Sequence, residues 1–130
     1  MTQYEELWGR ARKAGQEALA KCTPRPMVVT EVGLFDEPVP GGKSYFVEDG
    51  VCGFAWVKVR PANSAFAKWL KTLPGTGEYL TPQHDQYAGG ITIWIIVGNQ
   101  SMQKKEAYAN AMADVLKAEG INAYAESRLD

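Results

Sequence analysis

The chain reads as an α+β domain: a mostly antiparallel sheet with helices packed mainly on one face. Three observations predict this. Segments 2–21 and 101–119 repeat apolar residues at helical spacing. Segments 51–60, 91–97 and 121–129 are built from residues that favour strands. In each of these three, alternate positions separate small aliphatic side chains from aromatic or charged ones, as a sheet covered by helices on one side requires. A chain of 130 residues can bury a substantial core, so 1–130 is expected to form one domain.

The elements follow in order. In 2–21, Tyr4, Leu7, Trp8, Ala11 and Ala18, with Cys22, recur on one helical face. Gly9 and Gly15 weaken that helix by up to about 1 kcal/mol each relative to alanine. Thr23-Pro24 stops it. A strand is predicted at 27–32 and a loop rich in Gly and Pro at 33–43. Residues 45–48, then Asp49-Gly50, then 51–60 read as a β-hairpin, because Asp-Gly between apolar runs favours the tight turn. Pro61 ends that strand, and Asn63 or Ser64 can cap a short helix at 65–71. Residues 72–90 are a long loop with a brief strand expected at 78–81. The β-branched run 91–97 predicts a central, buried strand. Ser101 caps a helix reaching Glu119, with Ala107, Tyr108, Ala111, Met112, Val115 and Leu116 inward, and Gly120 occupies the left-handed C-cap position. A strand at 121–129 follows. Counting 78–81, the order over 51–129 is β-α-β-β-α-β, the ferredoxin-like order.

Alternation then points to a surface. Gly53, Ala55, Val57 and Val59 share one face of their strand, while Phe54, Trp56, Lys58 and Arg60 share the other. Ile91, Ile93, Ile95 and Val97 oppose Thr92, Trp94 and Ile96; Ile121, Ala123, Ala125 and Leu129 oppose Asn122, Tyr124, Glu126 and Arg128. The aliphatic faces should lie under the helices 65–71 and 102–119. If the three strands are neighbours, the other faces pool Phe54, Trp56, Trp94 and Tyr124 with Lys58, Arg60 and Arg128. Two readings of that face stand side by side. The N-terminal helix or a second protomer covers it and the rings are core. Alternatively it is a partly open platform for a nucleotide-like small molecule or single-stranded nucleic acid, since stacking is worth roughly 1–3 kcal/mol per base.

Other functional classes find less support. The formal net charge of −1 gives no global case for wrapping nucleic acid. No apolar run nears the roughly 20 residues that span a bilayer, and the acidic start at 1–8 is unlike a signal peptide. Two cysteines, Cys22 and Cys52, form no disulfide framework, which predicts a reduced, cytoplasmic protein. The only histidine, His84, reads as a solvated loop residue; pairing it with Cys52 for nucleophilic catalysis needs a fold that joins them. The same residues cannot build a closed zinc site. Gly41-Gly42-Lys43-Ser44 lacks the upstream glycine of a phosphate loop. Asp36-Glu37 and Glu48-Asp49 suit turns and solvation, and Lys104-Lys105-Glu106 a solvated helix face. Residues 74–90, with Tyr79 and Tyr87, form either a second binding surface or an ordered lid over a sheet edge. The expectation is a non-enzymatic binding protein without metal or cofactor. The alternative is a protein-interaction module, including a homo-oligomer.

Two resemblances add context. Gly53-Phe54-Ala55-Trp56-Val57-Lys58 resembles part of the RNP1 strand of RNA-recognition motifs, which would make Phe54 and Trp56 the stacking rings. Cys52 stands where that motif has a basic residue, Val59 where its last aromatic falls. Asp49-Gly50-Val51-Cys52-Gly53-Phe54-Ala55-Trp56-Val57, Phe66-Ala67-Lys68-Trp69-Leu70-Lys71, Gly120-Ile121-Asn122-Ala123-Tyr124 and Ser127-Arg128-Leu129-Asp130 resemble a family of small accessory proteins of tailed bacteriophages. That resemblance implies a host cytoplasm as the setting and a host protein, such as a defence protein to be inhibited, as an alternative partner. It implies no residue roles.

Overall fold

Thr2 caps the first helix rather than joining it: its hydroxyl accepts from the Glu5 backbone N–H at 3.2 Å. The computed structural model describes residues 2–24, 27–30, 44–47, 51–99 and 101–130. Helix α1 (Gln3–Lys21) carries Glu5 and Glu6 in its first turn and Lys21 in its last, matching its dipole. Its inward face buries Leu7, Trp8 and Ala11. Gly15, which weakens the helix in isolation, has a packing reason: a β-carbon there would lie 2.8 Å from the ring of Tyr108.

Strands β1 (Met27–Thr30) and β2 (Ser44–Val47) pair antiparallel as a two-stranded sheet. The main sheet contains β3 (Gly53–Val59), β4 (Gln83–His84), β5 (Ile91–Ile95) and β6 (Ala123–Leu129) in the order β4-β5-β3-β6, every pair antiparallel. This corrects the hairpin expected over 45–60. The partner of β2 is β1, and β3 has no free edge because β5 and β6 occupy both. Asp49-Gly50, the loop 33–43 and the carboxylate and glycine motifs at 36–37, 41–43 and 48–49 lie outside the described residues.

The strand expected at 78–81 is also corrected. Tyr79 forms a single bridge to Ile95, and the Leu80 N–H donates to the Trp94 carbonyl at 2.9 Å. Pairing resumes at Gln83 opposite Thr92. Tyr79 to Gln83 is four steps and Ile95 to Thr92 three, so this edge carries one extra residue, a bulge. Pro82 falls inside it and has no N–H to donate to the ladder. From β3 onward the elements are β3, α2 (Ala65–Leu70), β4, β5, α3 (Met102–Ala118) and β6.

Side-chain caps fix both later helices. The Ser64 hydroxyl accepts from Ala67 N–H and that of Ser101 from Lys104 N–H. Gly120 at φ +82° ends α3. Its N–H donates to the Lys117 carbonyl and that of Ile121 to the Leu116 carbonyl, the Schellman pattern. This turn occupies 120–121, so β6 starts at Ala123 rather than Ile121.

Most of the aliphatic parity face is the core; Leu129, at the end of β6, is instead exposed, and Val97, Ile121 and Ala125 are only partly buried. Ala55, Val57, Val59, Ile91, Ile93, Ile95 and Ala123 are buried against Phe66 and Leu70 of α2 and Tyr108, Met112 and Leu116 of α3. Helix α1 packs on this same side, not over the aromatic face. Its Tyr4 ring meets Phe66 at 5.5 Å and its Trp8 ring meets Tyr79 edge-on at 5.2 Å. A polar knot ties the layers together. Glu78 accepts from the Tyr108 hydroxyl at 2.7 Å, Gln16 at 2.9 Å and Arg12 at 2.6 Å. Burial alone would push the Glu78 carboxyl up, but these three donors outweigh it and hold it below its usual range. Burial and the same carboxylate push the Tyr108 hydroxyl up. Among the described residues no helix is long and apolar enough to cross a membrane.

Candidate functional site

The condition for pooling the aromatic faces is met, because β3 lies between β5 and β6. Register places Trp56 opposite both Trp94 and Glu126, Lys58 opposite Thr92 and Tyr124, and Phe54 opposite Arg128. Phe54, Trp56, Lys58, Trp94, Tyr124 and Arg128 therefore share the face turned away from the helices. Arg60 follows the end of β3, and its N–H donates to the Asn122 carbonyl at 3.0 Å.

These side chains pack into a partly open layer. Trp56 and Trp94 have ring centroids 4.7 Å apart, and Phe54 meets Trp94 edge-on at 6.2 Å. Phe54, Trp56, Trp94 and Tyr124 are all half-buried. The Arg128 guanidinium lies 5.3 Å from the Phe54 centroid and 5.9 Å from that of Trp94, while Arg60 lies 5.9 Å from Tyr124. Lys105, expected on a solvated helix face, is only 7% exposed. Its Nζ reaches round the sheet end to the Gly53 carbonyl at 3.4 Å and to the Phe54 ring.

A cavity of about 310 Å³ opens on this face. Trp56, Trp94, Lys58 and Thr92 form its floor, and Glu126 and Arg128 stand on the β6 side. The segment 83–88 supplies the opposite wall through Gln83, His84, Asp85 and Ala88, and Arg60 closes one end. Residues 74–90 thus divide. The part around Tyr79 follows the sheet edge, and the part from Gln83 onward walls the cavity.

Asp85 anchors that wall. Its Oδ1 accepts from the Tyr87 and Ala88 N–H groups, both at 2.9 Å, and its Oδ2 accepts from Lys58 Nζ at 2.8 Å. Lys58 Nζ also donates to the Gly89 carbonyl at 3.2 Å, so this almost fully buried side chain has two acceptors for its polar end. Gly90, at φ +78°, has no room for a β-carbon, which would lie 2.8 Å from Arg60 and 2.9 Å from the Val59 carbonyl. The Lys58 hydrogen bond, helped by the Ala88 and Tyr87 N–H groups, holds the Asp85 carboxyl far below its ordinary value of 3.8. A depressed pKa means that this contact stabilises the fold above the ordinary value and is lost as pH falls. The stability gap between the wild type and Asp85→Asn, measured by urea unfolding, should be largest near neutrality. It should shrink steadily from about pH 4 downward; a gap constant from pH 7 to pH 2 would contradict the anchoring role.

The cavity also holds unmet hydrogen-bonding capacity. Only three side-chain polar atoms among the described residues are buried without a partner, and two of them, Thr92 Oγ1 and Arg60 Nε, belong to its lining. Folded proteins satisfy nearly all such atoms, so each exception calls for a cause. Thr92 and Glu126 were on the predicted face by alternation but carried no signal beyond that. Gln83, His84 and Asp85 sat in a segment read as loop, with nothing to aim them at the sheet. His84 is a strand residue on the cavity wall. It is far from Cys52: His84 pairs with Ile91, which pairs with Val59, seven positions along β3 from Cys52. That is about 23 Å at the rise of a strand, so no Cys–His pair forms. No cluster of three metal-ligating side chains occurs among the described residues.

Compared with known protein families, curated proteins and solved structures, the chain matches none.

Proposed function

We propose that this protein is a non-enzymatic binding protein whose cavity takes a nucleotide-like ligand, free or as a unit of single-stranded nucleic acid. The observation that carries the reading is a paired tryptophan floor beside two buried, unsatisfied polar atoms, Thr92 Oγ1 and Arg60 Nε. A flat, polar, anionic group answers all three features. The ring faces of Trp56 and Trp94 supply stacking area, with Phe54 and Tyr124 extending the layer. Three cations, Lys58, Arg60 and Arg128, line the region against two carboxylates, Asp85 and Glu126. Lys58 and Asp85 satisfy each other, which leaves two guanidinium groups against one carboxylate. The balance favours a phosphate. The volume, about 310 Å³, lies at the lower end of small-molecule sites and suits one base with its sugar. Asp85 is committed to Lys58 and the loop, so we assign these residues to binding rather than to catalysis. The resemblance to tailed-phage accessory proteins supports a host cytoplasm as the setting.

Titration of the protein with nucleoside monophosphates, read by intrinsic tryptophan fluorescence, tests this. Saturable quenching by at least one of them is expected, because two of the four tryptophans form the floor. A short single-stranded oligonucleotide in the same assay separates a strand-binding surface, which would take the oligonucleotide more tightly, from a mononucleotide site. One observation favours a protein partner as a second reading: Leu80 and Ile96 are 49% and 39% exposed beside Trp94. Absence of quenching by any nucleotide, with self-association in sedimentation equilibrium, would favour that reading instead.

A further inference from the structure

We infer that Glu126 is the specificity-determining residue of the cavity and selects a base that presents adjacent N–H donors, guanine above all. The inference rests on the nucleotide reading and adds which base is chosen. Cross-strand register sets Glu126 on β6 directly opposite Trp56, and Trp56 directly opposite Trp94 on β5. Opposed side chains of neighbouring strands start about 5 Å apart. A ring system lying over the two tryptophans therefore has one edge at Glu126 and the other toward Thr92 and Gln83, which pair with each other across β4 and β5.

Glu126 is available for that contact. It lines the cavity and makes no hydrogen bond or ion pair among the described residues. Arg128, two positions along the same face, does not neutralise it, because its guanidinium packs over Phe54 and Trp94. An ionised carboxylate only accepts hydrogen bonds. Guanine offers it two adjacent donors, the ring N1–H and the exocyclic amino group, in the fork geometry that a carboxylate accepts. Cytosine and adenine offer one amino group beside an acceptor. Uracil offers one N–H flanked by two carbonyls, which a carboxylate repels. On the far side, the partnerless Thr92 hydroxyl can donate to or accept from whichever group the base turns toward it.

The test compares GMP, AMP, CMP and UMP by tryptophan fluorescence in the wild type and in Glu126→Gln. Glu126 is exposed, so the isosteric change should leave the thermal melt unchanged. The wild type should bind GMP about tenfold more tightly than UMP, within the range that one bidentate contact to a base supplies. In Glu126→Gln the preference should collapse: the amide places a donor against a guanine donor, while it matches the N–H and carbonyl of uracil. GMP should weaken and UMP should tighten. Equal wild-type affinities for all four, or a guanine preference that survives in Glu126→Gln, would overturn the assignment and leave the nucleotide site standing. Failure of all four to quench would overturn both.

Discussion

Trp56→Ala combined with Trp94→Ala should abolish nucleotide binding while the domain stays folded. Each ring contributes roughly 1–3 kcal/mol of stacking. Losing both should weaken binding between about 30-fold and about 10⁴-fold, at ~1.4 kcal/mol per decade. The fold should survive because the two rings lie on the opposite side of the sheet from the cluster formed by Val57, Ile93, Phe66 and Tyr108. They are half-buried, and much of their contact is with each other and with Phe54. A fall of a few degrees in the melting temperature is compatible with that arrangement. A non-cooperative melt monitored by circular dichroism would show instead that the rings are core, and the binding proposal would fall with it.

The largest effect on stability is expected from Glu78→Ala, about 2–4 kcal/mol in urea unfolding. The carboxylate accepts from three donors on two helices, Arg12 and Gln16 of α1 and Tyr108 of α3. Tyr108 is completely buried, and an unsatisfied buried hydroxyl costs about 1–3 kcal/mol. Arg12 is about a third exposed, so water recovers part of its loss and it adds less. Tyr108→Phe removes one donor and leaves the acceptor its other two, so it should be milder. In a double-mutant cycle the two changes should cost less together than the sum of each alone. Additive losses would mean that the knot is incidental and that the helices are held by apolar contacts alone.

What alternation could reveal, it revealed. The parity of three strands separated the core residues Ala55, Val57, Ile91, Ile93 and Ala123 from Phe54, Trp56, Trp94 and Tyr124, because a pleated strand leaves no choice of side once one face is buried. The cap at Ser101 and the turn at Gly120 are equally legible, since each depends on its nearest neighbours, and the cap of α2 narrows to Asn63 or Ser64, of which the structure uses Ser64. Pairing was not. Asp49-Gly50 suggested a hairpin between 45–48 and 51–60, yet the partners of β3 lie far downstream, and a local turn signal carries no information about that competition. Residues 78–84 are hard to read from sequence for a related reason. A bulged edge interrupted by proline breaks the alternation on which strand recognition depends. The cavity wall was hidden for that reason too: Asp85 and His84 acquire their roles from Lys58 and Ile91, neither of them a neighbour in sequence. Lys105 departs from the solvated-face expectation because a long basic side chain on a helix normally finds water, whereas this one lies beside the end of a strand.

The position of β3 also governs how the molecule comes into being. Trp56 is separated from its neighbour Trp94 by 38 positions and from its other neighbour Glu126 by 70. A strand whose two flanks are supplied so late must wait through synthesis with both hydrogen-bonding edges bare, and closing such large loops is slow. The aromatic face therefore depends on segments far apart in the chain. It is complete only once β6 has been translated, because only then does the Phe-Ala-Trp-Val segment of β3 gain its second neighbour.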